Sequence, residues 1–149
     1  MIIDIPGITE RRKSPRYDVD LALDLVLENG IIATVNTRNI SSCGVQLACD
    51  TWVTDVIEPR GIQSHSISHI RIKAIAELPI MDQDSASMGK SSAKKLYANC
   101  RIMSVQRVSQ DEYILNLAFV DFENGSESIL DEFLNQQYAQ KKTVINATA

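Results

Sequence analysis

The chain has no run of about 18 apolar residues, the length a helix needs to cross a bilayer, so no direct membrane insertion is expected. Its opening stretch, MIIDIPGITE, holds Asp4 and Pro6 and lacks the basic segment that precedes the apolar core of a secretory signal. Cysteine is sparse. Cys43, Cys49 and Cys100 are odd in number and show no paired spacing, which points to free thiols in a reducing cytoplasm and away from a disulfide framework. Aromatic residues make up only 5% of the chain, so the core must be built from Ile, Leu, Val and Ala. A positive excess is missing too. The formal net charge is -4, which is poor for coating nucleic acid by bulk electrostatics. No nucleophile elbow, P-loop or paired-cysteine motif occurs, and no two acids stand out as a general acid/base pair, so the chain does not read as an enzyme. His65 and His69 lie four apart where a strand begins, roughly 13 Å apart along it, too far to share a zinc ion.

What is present is period two. The 149 residues suit one domain with a true core. Val19, Leu21, Leu23, Leu25 and Leu27 alternate with more polar neighbours and predict a strand. Asn29-Gly30 predicts a type I′ hairpin turn, and IIATVNTRNI a returning strand. Val45–Ala48 alternates briefly. Residues 49–66 fit a short helical turn or a loop that packs Trp52. Ile70, Ile72, Ala74, Ala76 and Leu78 share a face until Pro79, which is expected to end that strand. Residues 80–95 read as a mobile loop. Two further strands are predicted near 96–108 and 112–122. After Gly125 the period changes: Ile129, Leu130, Phe133, Leu134 and Tyr138 fall at helical spacing, with acids early and Lys141 and Lys142 late, as the helix dipole favours. The fold class is therefore mainly β, a six-stranded antiparallel β-barrel with a C-terminal α-helix. Three segments follow: a flexible N-terminal arm over 1–17, the barrel and helix over 18–141, and a disordered tail over 142–149.

Two short stretches carry chemistry. ERRKSPRY sets Arg11, Arg12, Lys13 and Arg16 around Pro15. The proline fixes its own φ and biases Ser14 toward an extended conformation, so the arginines sit on a bent strap and not on a helix. Arginine's planar fork matches phosphate oxygens or the O6/N7 edge of guanine, and its flat face can stack on a base. NISSCG places Asn39 and Ser41 two apart at a strand end, able to read a base edge together. Gly44 permits a sharp reversal and a close ligand approach. Cys43, inside the turn, reads as a small packing residue. A strap of arginines beside a polar turn favours a guanine nucleotide with phosphates.

Arg12-x-x-x-Arg16 followed by Asn39-x-Ser41-x-x-Gly44 resembles the paired signature of PilZ domains, the bacterial receptors for cyclic di-GMP. The resemblance covers about residues 10–141. It implies a split-barrel type of six-stranded barrel with a flanking C-terminal helix, which agrees with the strand pattern. It also implies that Arg12 and Arg16 clamp phosphates and guanine faces, that Asn39 and Ser41 hydrogen-bond a guanine base, and that Gly44 holds the turn open. Asn39 stands where the family more often has Asp. Arg11 extends the strap to R-R-x-x-x-R, which in the family accompanies a stacked pair of ligands, so two cyclic di-GMP per chain are expected. The implied setting is the bacterial cytoplasm, with no cofactor and no metal. The implied output is regulation of an unidentified downstream protein, in motility, biofilm formation or a related process. Two other readings stand beside this one. A PilZ-fold adaptor that binds only protein would be marked by loss of the motif residues. A small barrel that binds single-stranded nucleic acid would need stacking aromatics on its strands, and few are present.

Overall fold

The computed structural model describes residues 14–81 and 91–148. In chain order they form β1 (Tyr17–Asp18), β2 (Ala22–Leu27), β3 (Ile32–Ile40), β4 (Gly44–Cys49), α1 (Thr51–Ile57), β5 (Arg71–Met81), β6 (Ser91–Ser109), β7 (Glu112–Glu123) and α2 (Ser126–Thr148). The strands pair in the order β3-β2-β5-β6-β7-β4, and β4 returns to pair with β3. All these pairings are antiparallel. The sheet is thus a closed six-stranded barrel, with β1 outside it and a C-terminal helix packed on it, as the alternation predicts. Arg11 and Arg12, most of the 80–95 loop and Ala149 lie outside the described residues.

The inward faces are the predicted ones. Leu23, Leu25 and Leu27 of β2 are buried, as are Ile70 and then Ile72, Ala74, Ala76 and Leu78 of β5. Leu130 and Phe133 of α2 are each 1% exposed and belong to the same core. Tyr138, at helical spacing with them, is exposed instead. The helix begins after two consecutive positive-φ residues, Asn124 and Gly125. It is pinned there by Ser126, whose buried Oγ accepts the Tyr97 N–H at 2.7 Å. Its backbone continues past Lys141 to Thr148, so the lysines do not stand in its last turn, which holds no basic residue.

Several local expectations yield to tertiary contacts. The first alternating run becomes a strand only from Ala22, because Thr37 interrupts the ladder at residues 19–21. Its buried Oγ1 donates to the Val19 carbonyl at 2.7 Å and accepts the Leu21 N–H at 2.9 Å, replacing ladder bonds. The hairpin at Asn29-Gly30 is present, but only Gly30 has positive φ (+89°). Gly30 N–H donates to the Leu27 carbonyl and Leu27 N–H to the Ile31 carbonyl, the pattern of a three-residue loop and not a type I′ turn. Pro79 does not end its strand; it pairs opposite Ala93. Proline is tolerated there because β2 follows β5 only as far as Ala76, which leaves one strand neighbour. At the end of this free edge the Gln136 side chain of α2 substitutes for a strand. It accepts the Met81 N–H at 2.7 Å and donates to the Met81 carbonyl at 3.0 Å. The ambiguous segment forms α1, capped by Asp50, whose carboxylate accepts the Val53 N–H. Trp52 on that helix is 56% exposed, so the core does not use it.

β6 has 19 residues and would span about 60 Å if straight. Single extra residues at Met103, Val108 and Val120 interrupt its pairing with β7. Bulges of this kind bend and twist a hairpin, which is what closing a barrel requires.

Glu58, just after α1, is a buried carboxylate gripped by Arg60 at 2.7 Å and 3.1 Å. The Arg60 hydrogen bonds hold its pKa down to about 2 from an ordinary 4.5. A lowered folded pKa stabilises above the unfolded value and is lost as pH falls. Wild type should therefore lose more stability than Arg60→Gln between pH 5 and pH 2, read by urea unfolding across that range. Thr37→Val should cost about 2 kcal/mol at neutral pH in the same assay, because it strands the Val19 carbonyl and the Leu21 N–H.

Candidate functional site

The structure brings the described part of the strap onto the turn. β1 pairs Tyr17 with Ile40 and Asp18 with Asn39, which lays the strap along the end of β3. Tyr17 is buried and anchors it. Burial, then the neighbouring Tyr138 of α2, pushes the Tyr17 phenol above its ordinary pKa. Ser14 Oγ lies 2.9 Å from Cys43 Sγ and 3.3 Å from Ser42 Oγ, a second tether between strap and turn. Cys43 is exposed at this tether and does not pack inward.

The two halves of the signature meet directly. Arg16 Nη1 donates to Asn39 Oδ1 at 2.8 Å. Asn39 is half-buried on the outer face, since Ile40 beside it points into the core. Arg16 also lines a cleft of about 300 Å³ with Gln137, Gln140 and Lys141 of α2. Pro15, Tyr17 and Ser42 line a second cleft, of about 380 Å³, with Leu134 and Tyr138. The strap is therefore flanked by the turn on one side and the terminal helix on the other. Of the helix residues at these clefts, the sequence marks Leu134 and Tyr138 only by helical spacing and Lys141 only by its place late in the helix, and it does not mark Gln137 or Gln140.

Ser41 and Gly44 occupy different roles from Asn39. Ser41 is 1% exposed, and its Oγ accepts the N–H groups of Cys43 (3.1 Å) and Gly44 (3.3 Å). It braces the turn from within, with its own N–H donating to the Gly44 carbonyl at 2.9 Å. Gly44 does not have positive φ; it is buried at the start of β4, paired with Ala118. A Cβ there would collide with the Leu117 carbonyl, so the glycine is required by strand approach and not by reversal of the chain. The structure thus joins Arg16 to Asn39, and Ser41 to Gly44. It does not present Asn39 and Ser41 as a pair of free polar groups.

Asn39 also reaches the other way. Its Nδ2 donates to Gln46 Oε1 at 2.9 Å, Gln46 Nε2 to Asn116 Oδ1 at 3.1 Å, and Asn116 Nδ2 to Ser104 Oγ at 2.8 Å. Gln46 and Asn116 are outward positions of alternating strands, a signal available in the sequence but silent about partners. Among the described residues no group of three or more His, Cys, Asp or Glu side chains converges to hold a metal, and no helix is long and apolar enough to cross a membrane.

Gly44→Ala should destabilise the chain by about 3 kcal/mol through overpacking against β7, measured by urea or thermal unfolding without any ligand.

The sequence matches no family model and no curated protein. Solved structures do share the fold. The Bacillus subtilis inhibitor of motility, MotI/DgrA, aligns over 89% of this chain and 52% of its own, at 13% identity and a TM-score of 0.61. K. pneumonia MrkH in its apo state aligns over 87% of this chain and 51% of its own, at 15% identity and a TM-score of 0.58. The chain spans about half the length of either protein. Both are PilZ-domain proteins, and the chain described here has a PilZ-like fold.

Proposed function

We propose that the chain is a cyclic di-GMP receptor, not an enzyme, that works in the bacterial cytoplasm by changing conformation to regulate a partner protein. The observation that carries this reading is the Arg16–Asn39 hydrogen bond. A cation that recognises phosphate and an amide that recognises a base edge are held against each other at the end of β3, beside clefts open to solvent. In the receptor Arg16 leaves Asn39 for a phosphate or a guanine face, Arg12 joins it, and Asn39 takes the base. Ser41 and Gly44 keep the turn in the shape that displays Asn39. Arg11 supports a stacked pair of ligands, giving two per chain.

The strap is the element suited to move. Its described part is held by one buried tyrosine, a two-residue strand and side-chain contacts at Ser14 and Arg16. Closure of the arm over the barrel mouth would reshape the surface it shares with α2, where Gln137, Gln140 and Lys141 face Arg16. Charge-assisted contacts to the dianion would offset the entropy of ordering the arm. Fold kinship with an inhibitor of motility supports an output of that kind.

Calorimetric titration with cyclic di-GMP, with GTP as control, tests the proposal. Binding near two ligands per chain is expected. Binding near one would keep the receptor and remove the role given to Arg11. Absence of binding would leave an adaptor that recognises protein alone. Arg16→Ala should weaken binding by about 2 kcal/mol or more, roughly thirtyfold, and unchanged affinity in that variant would sink the site assignment.

A further inference from the structure

The polar contacts beyond Asn39 form one rung across four neighbouring strands. Each step falls on a register pair: Asn39 opposite Gln46, Gln46 opposite Asn116, and Asn116 opposite Ser104. Two of these pairs exist because of bulges. The ladder between β3 and β4 skips Arg38; were Arg38 paired in turn, Asn39 would oppose Val45, a core side chain. The ladder between β6 and β7 skips Met103; were it paired in turn, Met103, and not Ser104, would oppose Asn116. Both irregularities deliver a hydrogen-bonding side chain to the rung.

The rung has a direction. A guanidinium only donates, so Arg16 requires the Asn39 carbonyl oxygen to face it. The Asn39 amide nitrogen then points at Gln46 Oε1, and the same sense passes through Asn116 to Ser104 Oγ. Asn39 cannot turn over alone. A single flip would set its carbonyl oxygen against the Gln46 carbonyl oxygen, and the conflict disappears only if Gln46 and Asn116 turn as well. A carboxylate in this place would need no such support, since both of its oxygens accept. An asparagine does need it.

We infer that Gln46 and Asn116 are positioning residues that hold the Asn39 carbonyl oxygen toward the ligand and so select a base whose edge donates, guanine, over adenine. The inference rests on the receptor reading above. Guanine offers N1–H and N2–H donors to an outward carbonyl, in the place Arg16 Nη1 now occupies. Adenine offers an acceptor beside its single amino donor, and meeting that acceptor requires the amide nitrogen to face outward.

The test is titration of the full chain with cyclic di-GMP and cyclic di-AMP, in wild type, Gln46→Met, Asn39→Asp and the double variant. Thermal unfolding confirms that each is folded. Freed from its partner, Asn39 can present either end. Gln46→Met should therefore strengthen cyclic di-AMP binding by about tenfold, the worth of one satisfied hydrogen bond, while weakening cyclic di-GMP about twofold. In the Asn39→Asp background, where neither oxygen can donate, Gln46→Met should leave the ratio of the two affinities unmoved. A merely structural role for Gln46 would weaken both ligands together. That result, or an unmoved ratio in the Asn39 protein, or an equal change in both backgrounds, overturns the positioning role while the receptor stands. If wild type binds neither dinucleotide, the receptor reading fails and this inference falls with it.

Discussion

The barrel closes on one short strand. β4 has six residues and is hydrogen-bonded on both sides, to β3 and to β7. Its first residue sits so close to β7 that no side chain fits, and just before it the Cys43 carbonyl accepts the Phe119 N–H at 2.9 Å. This seam sets the turn at the mouth of the barrel. The turn fixes where β3 ends, the end of β3 fixes where the strap can pair, and the strap brings Arg16 to Asn39. A feature that reads as a recognition motif is therefore in large part a closure motif. Ser41 and Gly44 serve the backbone, and Asn39 alone of the three is left with an outward polar group.

Much of the architecture was legible because a half-buried strand writes itself in period two. The buried leucines of β2 and the alternating face of β5 follow that period without exception, and the terminal helix follows its own. The failures share a different cause. Thr37 takes over ladder bonds with its side chain, which propensity cannot register. Pro79 passes because one neighbour is missing, a fact of topology. The loop at Gly30 is one residue longer than the Asn-Gly pair suggests, since only the glycine takes the left-handed conformation. Cys43 and Trp52 are small or apolar enough to be placed inside by composition, yet both lie at the surface.

The site divides the same way. Residue types and spacing marked Arg16 and Asn39, which meet. They did not reveal that Ser41 is buried, because a hydroxyl that braces its own turn looks the same in sequence as one that faces a ligand. Nor did they reveal Gln46, Asn116 and Ser104 as a connected set. That connection depends on the register of four strands and on two inserted residues, and one slip of register would turn the outward amides against inward neighbours.

The amide of Gln136 carries a consequence of another kind. It satisfies both backbone groups of Met81 at the end of the stretch of β5 that β2 does not accompany. Were α2 to lift away, both of these Met81 groups would lose their partner, on an edge where Pro79 offers no N–H of its own. The helix that lies beside the strap thus also closes an open strand edge, and displacing it would leave Pro79 to discourage a second chain from pairing there.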